Sequence, residues 1–408
     1  MPEARRLTFE DEPLGDVPTP RGPLRLVRGF GSGLARRRSD PPGVVWGVGD
    51  RGPNLSIRTA VERWGLEPLA ALQDREGAKL MPRPDVGPAL GRFVVDGDAV
   101  RLTAVVPLHA AGRALSGLPL AGASHAQSEP ACDLAGALLP TDAGGADTEG
   151  LAALSDGGFW VGDEYGPSLL RVASDGRVLF RWIPAGCEGG LADSPFPARP
   201  VLPAIAAKRR LNRGFEGLAL SMDERQLHLA FQSPLAHPDV DAHRRGRHVR
   251  IWTLEAGTGE ILAQRLYPLD PPESFRRDRE AGPFDGSDIK VSELAALAGN
   301  RLLVLERGSA TTKLYVVTLT PETALAPEHL DAATRPTLEE RDGAAALDLP
   351  VLHKTLLLST DDLPALSPDL EGMVLLSPRE LLLVNDNDFG VEGVSTAFWR
   401  VTLDADLA

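Results

Sequence analysis

The feature that most constrains the fold is a unit that recurs along the chain. Glu149-Gly150-Leu151 is followed by "GFWVGDE", Glu216-Gly217-Leu218 by "LHLAFQS", Glu293-Leu294-Ala295 by "LLVLERG", and Glu371-Gly372-Met373 by "LLLVNDN". A weaker first copy, Ser32-Gly33-Leu34, precedes "VWGVGDR". Each unit reads as an acidic residue opening a strand, a turn, a second apolar strand and a polar pair. Short β-branched or aromatic runs bounded by Gly, Pro, Asp or Asn dominate the rest, and helical periodicity is confined to 59–75 and 321–333. A repeated unit that cannot bury both faces alone must stack on its neighbours. The expected fold is all-β: a β-propeller of five internal repeats and five or six blades. The markers stand at least 67 residues apart, more than the roughly 40–50 that four strands need, so long loops lie between blades. Residues 1–23 read as an N-terminal extension and 24–403 as one propeller domain, with "LRLVRGFG" at 24–31 pairing with the C-terminal strands to close the ring.

Aligning the ends of the second strands gives a column of Asp50, Asp163, Gln232, Glu306 and Asn385, and next to it Arg51, Glu164, Ser233, Arg307 and Asp386. In a radial array such strand ends converge on one mouth of the central channel, close to the starts of the first strands. Carboxylates crowded there repel one another, and a bound cation relieves that repulsion. An all-oxygen donor set with no His or Cys cluster selects Ca²⁺, with Mg²⁺ or Mn²⁺ as alternatives, over zinc. The expected ligands are Glu149, Glu216, Glu293, Glu371, Asn385 and Asp386. "NDNDFG" is not an EF-hand loop, because Phe389 stands at a ligand position and no Glu follows Gly390 at the required spacing.

The net charge of −14 opposes nucleic-acid binding, which needs a cationic face. It permits a small phosphorylated substrate where cations and arginines invert the local sign. Asp50, Arg213, Gln232, Arg250, Lys290, Glu306 and Asp388 lie on or beside the repeats and are the expected substrate contacts. Asp163 or Glu164 is the expected general base, and Arg51 or Arg307 the group that offsets charge on a phosphoryl oxygen. The sequence has no GxSxG and no Ser or Cys with a His set at recognisable spacing. His228 reads as packed within a strand, and His248 as a weak candidate acid. Cys132 and Cys187 are the only cysteines and read equally as a disulfide or as two free thiols. The N-terminus lacks an apolar stretch of the kind that directs export, and no run approaches a membrane span, which together predict a cytoplasmic protein.

The segments 147–178, 212–235, 290–308 and 370–390, in that order, resemble the phytase-like family, also described by the esterase-like activity of phytase. The likeness runs from about residue 24 to 403. It implies a phosphoesterase, which with the expected cation ring gives a divalent-cation-dependent hydrolase of phosphate esters, and it implies export, because members of that family are mostly exported bacterial proteins. The Glu-Gly strand opening is also similar to that of calcium-dependent gluconolactonases and paraoxonases. A calcium-dependent lactonase or carboxylesterase is therefore a second reading, and a non-catalytic binding module with a structural metal is a third.

Overall fold

The computed structural model describes residues 2–121, 129–341 and 348–407. The chain is all-β, and five antiparallel sheets carry most of it. The first sheet is formed by Gly33–Ala35, Val44–Val48, Ala89–Asp96 and Ala99–Pro107, in that order. The second is Thr148–Ala153, Phe159–Asp163, Ser168–Val172 and Val178–Pro184, with Ala198–Leu202 added in parallel at its edge. Phe215–Leu220, Gln226–Phe231, His248–Glu255 and Ile261–Pro268 form the third, and Lys290–Leu297, Arg301–Arg307, Thr312–Thr318 and Lys354–Ser359 the fourth. The fifth contains Leu370–Ser377, Glu380–Asn385 and Phe398–Thr402, and its outer strand is Glu3–Arg6.

That outer strand corrects the sequence reading. Glu3 pairs with Thr402 and Arg6 with Trp399, whereas Leu24–Val27 pairs with Pro13–Val17. Part of the supposed extension 1–23 is thus built into the last sheet. A sheet made from both ends of the chain fastens the first residues to the last.

Second strands are apolar at nearly every position because both faces are covered. All five residues of Val44–Val48 and of Phe159–Asp163 are buried, and continuous apolar runs mark strands enclosed on both sides. Shared cores lie between successive sheets. Trp46 and Leu90 of the first pack with Leu151 and Phe159 of the second. Leu303 and Leu305 of the fourth pack with Met373 and Leu383 of the fifth. Val45 and Phe93 of the first meet Leu382 and Phe398 of the fifth. Contacts between first strands run first to second, second to third, third to fourth, fourth to fifth, and fifth back to first.

The segments expected to be helical contain one short α-helix, Ile57–Glu62, and 3₁₀ turns at Glu67–Leu72, Pro321–Thr323 and Pro327–Leu330. The helix packs with a small sheet of Leu55–Ser56, Lys79–Leu80 and Ala131–Cys132 over the ends of the second strands. Cys132 and Cys187 are both buried free thiols. Burial pushes the Cys132 thiol up to about 11, which keeps it protonated and unreactive.

Candidate functional site

The glutamates that open the first strands sit at interruptions of the ladder. Register shifts fall between Thr148 and Leu151, between Phe215 and Leu218, between Val291 and Glu293, and between Leu370 and Gly372. A β-bulge inserts one residue and re-aims a side chain. Here it turns four marker glutamates out of their sheets toward the space the five first strands enclose. The following glycine has its own reason. A Cβ on Gly150 would lie 2.2 Å from the Glu216 carbonyl oxygen, and one on Gly33 would lie 2.5 Å from that of Glu149. Glycine lets neighbouring first strands approach at the bulge.

One carboxylate oxygen from each of Glu149, Glu216 and Glu371 lies within 4.8 Å of the other two. All three residues are buried. Asp50 and Asp147 form a second group with Glu149 at the same spacing. Glu216 accepts from Ser292 Oγ through Oε1, while its Oε2 is buried without a hydrogen bond. Burial, then Glu216, raises the Glu149 carboxyl well above the ordinary range. Burial also raises Asp50, with Asp147 adding to the effect. Asp147 is pushed up to about 7 by burial despite Arg51, and Glu164 to about 7 by burial and Glu216 despite Arg51 and Arg209. Crowded, desolvated carboxylates with an unmet oxygen have the donor chemistry of a hard-cation site, and a cation held by Glu149, Glu216 and Glu371 fits the residues present.

Basic groups border the cluster. Arg307 is ion-paired to Glu371 and bonds Asp369 at 3.1 Å and Ser292 Oγ at 2.9 Å. Arg213 donates to Gln232 at 2.7 Å. Lys290 is half-buried, and its ammonium is lowered to about 7 by desolvation and by Arg307 and Arg213. Arg51 pairs with Asp147 at 2.5 Å and with Glu129, and its guanidinium lies 5.3 Å from the Tyr165 ring.

The two columns of strand ends divide unevenly. The second column supplies Arg51, Glu164, Arg307 and Asp386 to this mouth. Asp386 is half-buried and pushed up to about 7 by desolvation and by Asp388, which is exposed beside it. Of the first column, Asp50 reaches the mouth, and so does Gln232, which lies beside Glu216 and accepts from Arg213. Side chains alternate along a strand, so adjacent columns face opposite ways.

Five expected site residues have other work. Asp163 is fully buried; its Oδ1 accepts from the Asp147 and Tyr165 amides, and its Oδ2 accepts from Ser168 and faces Arg181. With both oxygens occupied, it is not free to act as a base. Glu306 bonds Lys354 and the Asp270 amide, in a buried cluster with Tyr267 and Tyr315. Arg250 forks onto Glu339 at 2.8 Å, away from the mouth. Asn385 uses its amide group on the Asp386 and Ser395 carbonyls and its oxygen on the Ala397 amide. Glu293 is fully buried and accepts from the amides of Leu34, Leu294 and Leu218. It ties three segments together and lies outside both carboxylate groups.

The phytase-like family, described as esterase-like activity of phytase, matches residues 25–389. The chain belongs to this family. An uncharacterized secreted protein of Arthroderma benhamiae is 28% identical over 315 residues, 69% of this chain and 59% of the fungal protein. The chain thus spans about three fifths of that relative's length. Among solved structures, the PQQ-bound aldose sugar dehydrogenase of Streptomyces coelicolor aligns over 99% of both chains at 11% identity and a TM-score of 0.34. A gluconolactonase of Xanthomonas campestris aligns over 77% of this chain and 68% of its own at 12% and 0.30. Among the described residues, no helix is long and apolar enough to cross a membrane.

Sequence reasoning missed Asp147 and Asp369, although a signal existed. Both stand two residues before a marker glutamate, in "DTEG" and "DLEG". Glu129 and Arg209 have no such marker and reach the site only through the fold.

Proposed function

We propose that the five sheets are the blades of one propeller, and that this phytase-like protein is a Ca²⁺-dependent hydrolase of phosphate esters acting at its acidic mouth. The observation that carries the reading is the buried Glu149–Glu216–Glu371 group, with an unmet Glu216 oxygen, set beside Arg213, Lys290 and Arg307. Such a pairing of hard anionic donors with basic groups suits a phosphoryl group held between a cation and arginines. When bound, the cation supplies Lewis acidity to a substrate oxygen and to a water. Among the described residues Glu164 accepts only the Gly214 amide, at 3.0 Å through Oε1, and it is poised near 7, so it can take a proton from that water. Arg307 and Lys290 offset charge on the phosphoryl oxygens. Arg51 holds Asp147 in place. We place the protein outside the cytoplasm, as its fungal relative is described as secreted.

The test is turnover of p-nitrophenyl phosphate and phytate by chelator-treated protein with and without Ca²⁺, in parallel with Glu164→Gln. Calcium-dependent turnover, lost in Glu164→Gln while the cation still raises the melting temperature, supports the reading. Turnover of lactones or carboxylesters alone would transfer the site to that chemistry. No turnover with a cation-dependent melting rise would leave a structural metal in a binding module.

A further inference from the structure

All five first strands run the same way, from the acidic mouth to a cavity of about 500 Å³ at their far end. Leu34, Leu151, Leu218, Leu294 and Met373, one from each strand, line it. Just before Leu294 stands the fully buried Glu293, which does not line the cavity and whose carboxylate is fixed by the amides of Leu34, Leu218 and Leu294. The cavity is therefore a cup set off from the acidic mouth. Its volume suits a small molecule.

We propose that this cup binds an aliphatic carboxylate. The body follows from the lining, which apart from Ser221, Ser377, Pro378 and the charged rim is Leu, Ala, Val and Met, without an aromatic side chain among the described residues. The charge follows from the rim. Arg36 gives Nη1 to the Leu376 carbonyl at 2.7 Å, while its Nε is buried and has no hydrogen-bond partner. Arg36 nonetheless lines the cavity, and its guanidinium charge favours a carboxylate held at that rim. Arg38 adds a second positive charge to the rim, held by the Met222 carbonyl and sulfur. The one acid there, Glu224, is engaged by the Ser155 amide and hydroxyl. An anion with an apolar tail thus finds both of its halves complemented.

The experiment is calorimetric titration of the full chain with octanoate, 1-octanol and butyrate. Octanoate should bind one per chain, with octanol about tenfold weaker, the worth of one charge-assisted bond, and butyrate showing no saturation. Arg36→Gln should reduce octanoate to the octanol level. Ala296→Phe, which fills the cup from its wall, should abolish both. Retention of the Ca²⁺-dependent melting rise in each variant would show that fold and acidic mouth are intact. No saturable octanoate binding, equal affinity for octanol, or an unchanged preference in Arg36→Gln would overturn the assignment. The cup shares no residue with the carboxylate groups, so its failure leaves the cation reading untouched.

Discussion

Glu149 and Glu216 open neighbouring first strands, and their carboxylates meet within 4.8 Å, with Glu371 closing the group. Glu149 makes no ion pair or hydrogen bond among the described residues, and burial, then Glu216, raises its carboxyl well above the ordinary range. This predicts opposite effects of one substitution. In chelator-treated protein, Glu149→Gln removes the cost of burying that carboxyl beside Glu216 and should raise stability by about 1–2 kcal/mol. With Ca²⁺ at a hundredfold excess over its Kd, the parent should gain about 2.7 kcal/mol, and the variant should lose most of that gain. Thermal melts of both proteins with and without the ion read both signs. A variant destabilised equally in the two conditions would remove the cation from the site.

The glycine beside that glutamate is a packing requirement. A methyl group on Gly150 would stand 2.2 Å from the Glu216 carbonyl oxygen, and neither strand can yield without shifting its ladder. Gly150→Ala should cost about 2–3 kcal/mol in urea unfolding. Gly186→Ala is the control for ordinary glycine loss. Unlike Gly150 it has a positive φ, of 87°, and it meets nothing within 4 Å, so only its backbone strain should register, at about 1 kcal/mol.

What could be read in advance follows from this geometry. The all-β class was legible because second strands such as Val44–Val48 are enclosed on both faces and so are apolar throughout. The ring of glutamates was legible because bulge and close approach impose Glu-Gly in three of the copies. The facing of each column was not. Asp163 and Glu164 are adjacent in sequence, yet one turns into the sheet and the other into the mouth, and which of the two faces the mouth is set by the strand's pairing, not by either residue's type. The Arg250–Glu339 pair joins residues 89 apart and carries no local pattern at all. Glu3–Arg6 reads as a tail because four residues with three charged side chains do not look like a strand until their partner, Phe398–Thr402, is beside them.

Arg51 joins three parts of the chain, pairing with Glu129 and Asp147 and donating to Asn212 at 2.5 Å. It is 4% exposed. Removing one partner of a buried ion pair leaves the others uncompensated, at a cost of about 3–5 kcal/mol. Arg51→Ala should show that loss in denaturant unfolding. Arg51→Lys should recover only part of it, because an ammonium cannot reach two carboxylates and an amide as a planar fork does.

His228 sets a pH limit away from the acidic mouth. Its ring is 6% exposed and bonded through Nδ1 to the Thr253 hydroxyl at 3.2 Å. Arg265 also reaches that hydroxyl. Burial, with Arg265 adding to it, lowers the imidazole from 6.5 to about 4. The unfolded chain therefore binds this proton between those values and the folded chain does not. Stability from this group is fully present above pH 6.5 and is lost as pH falls through 6.5 toward 4, by up to about 3 kcal/mol. His228→Gln keeps the neutral shape and cannot titrate. It should flatten this part of the stability profile between pH 7 and pH 4.5, measured by urea unfolding at fixed ionic strength. A variant whose profile parallels the parent across that window would show that the imidazole is not the group taking up the proton.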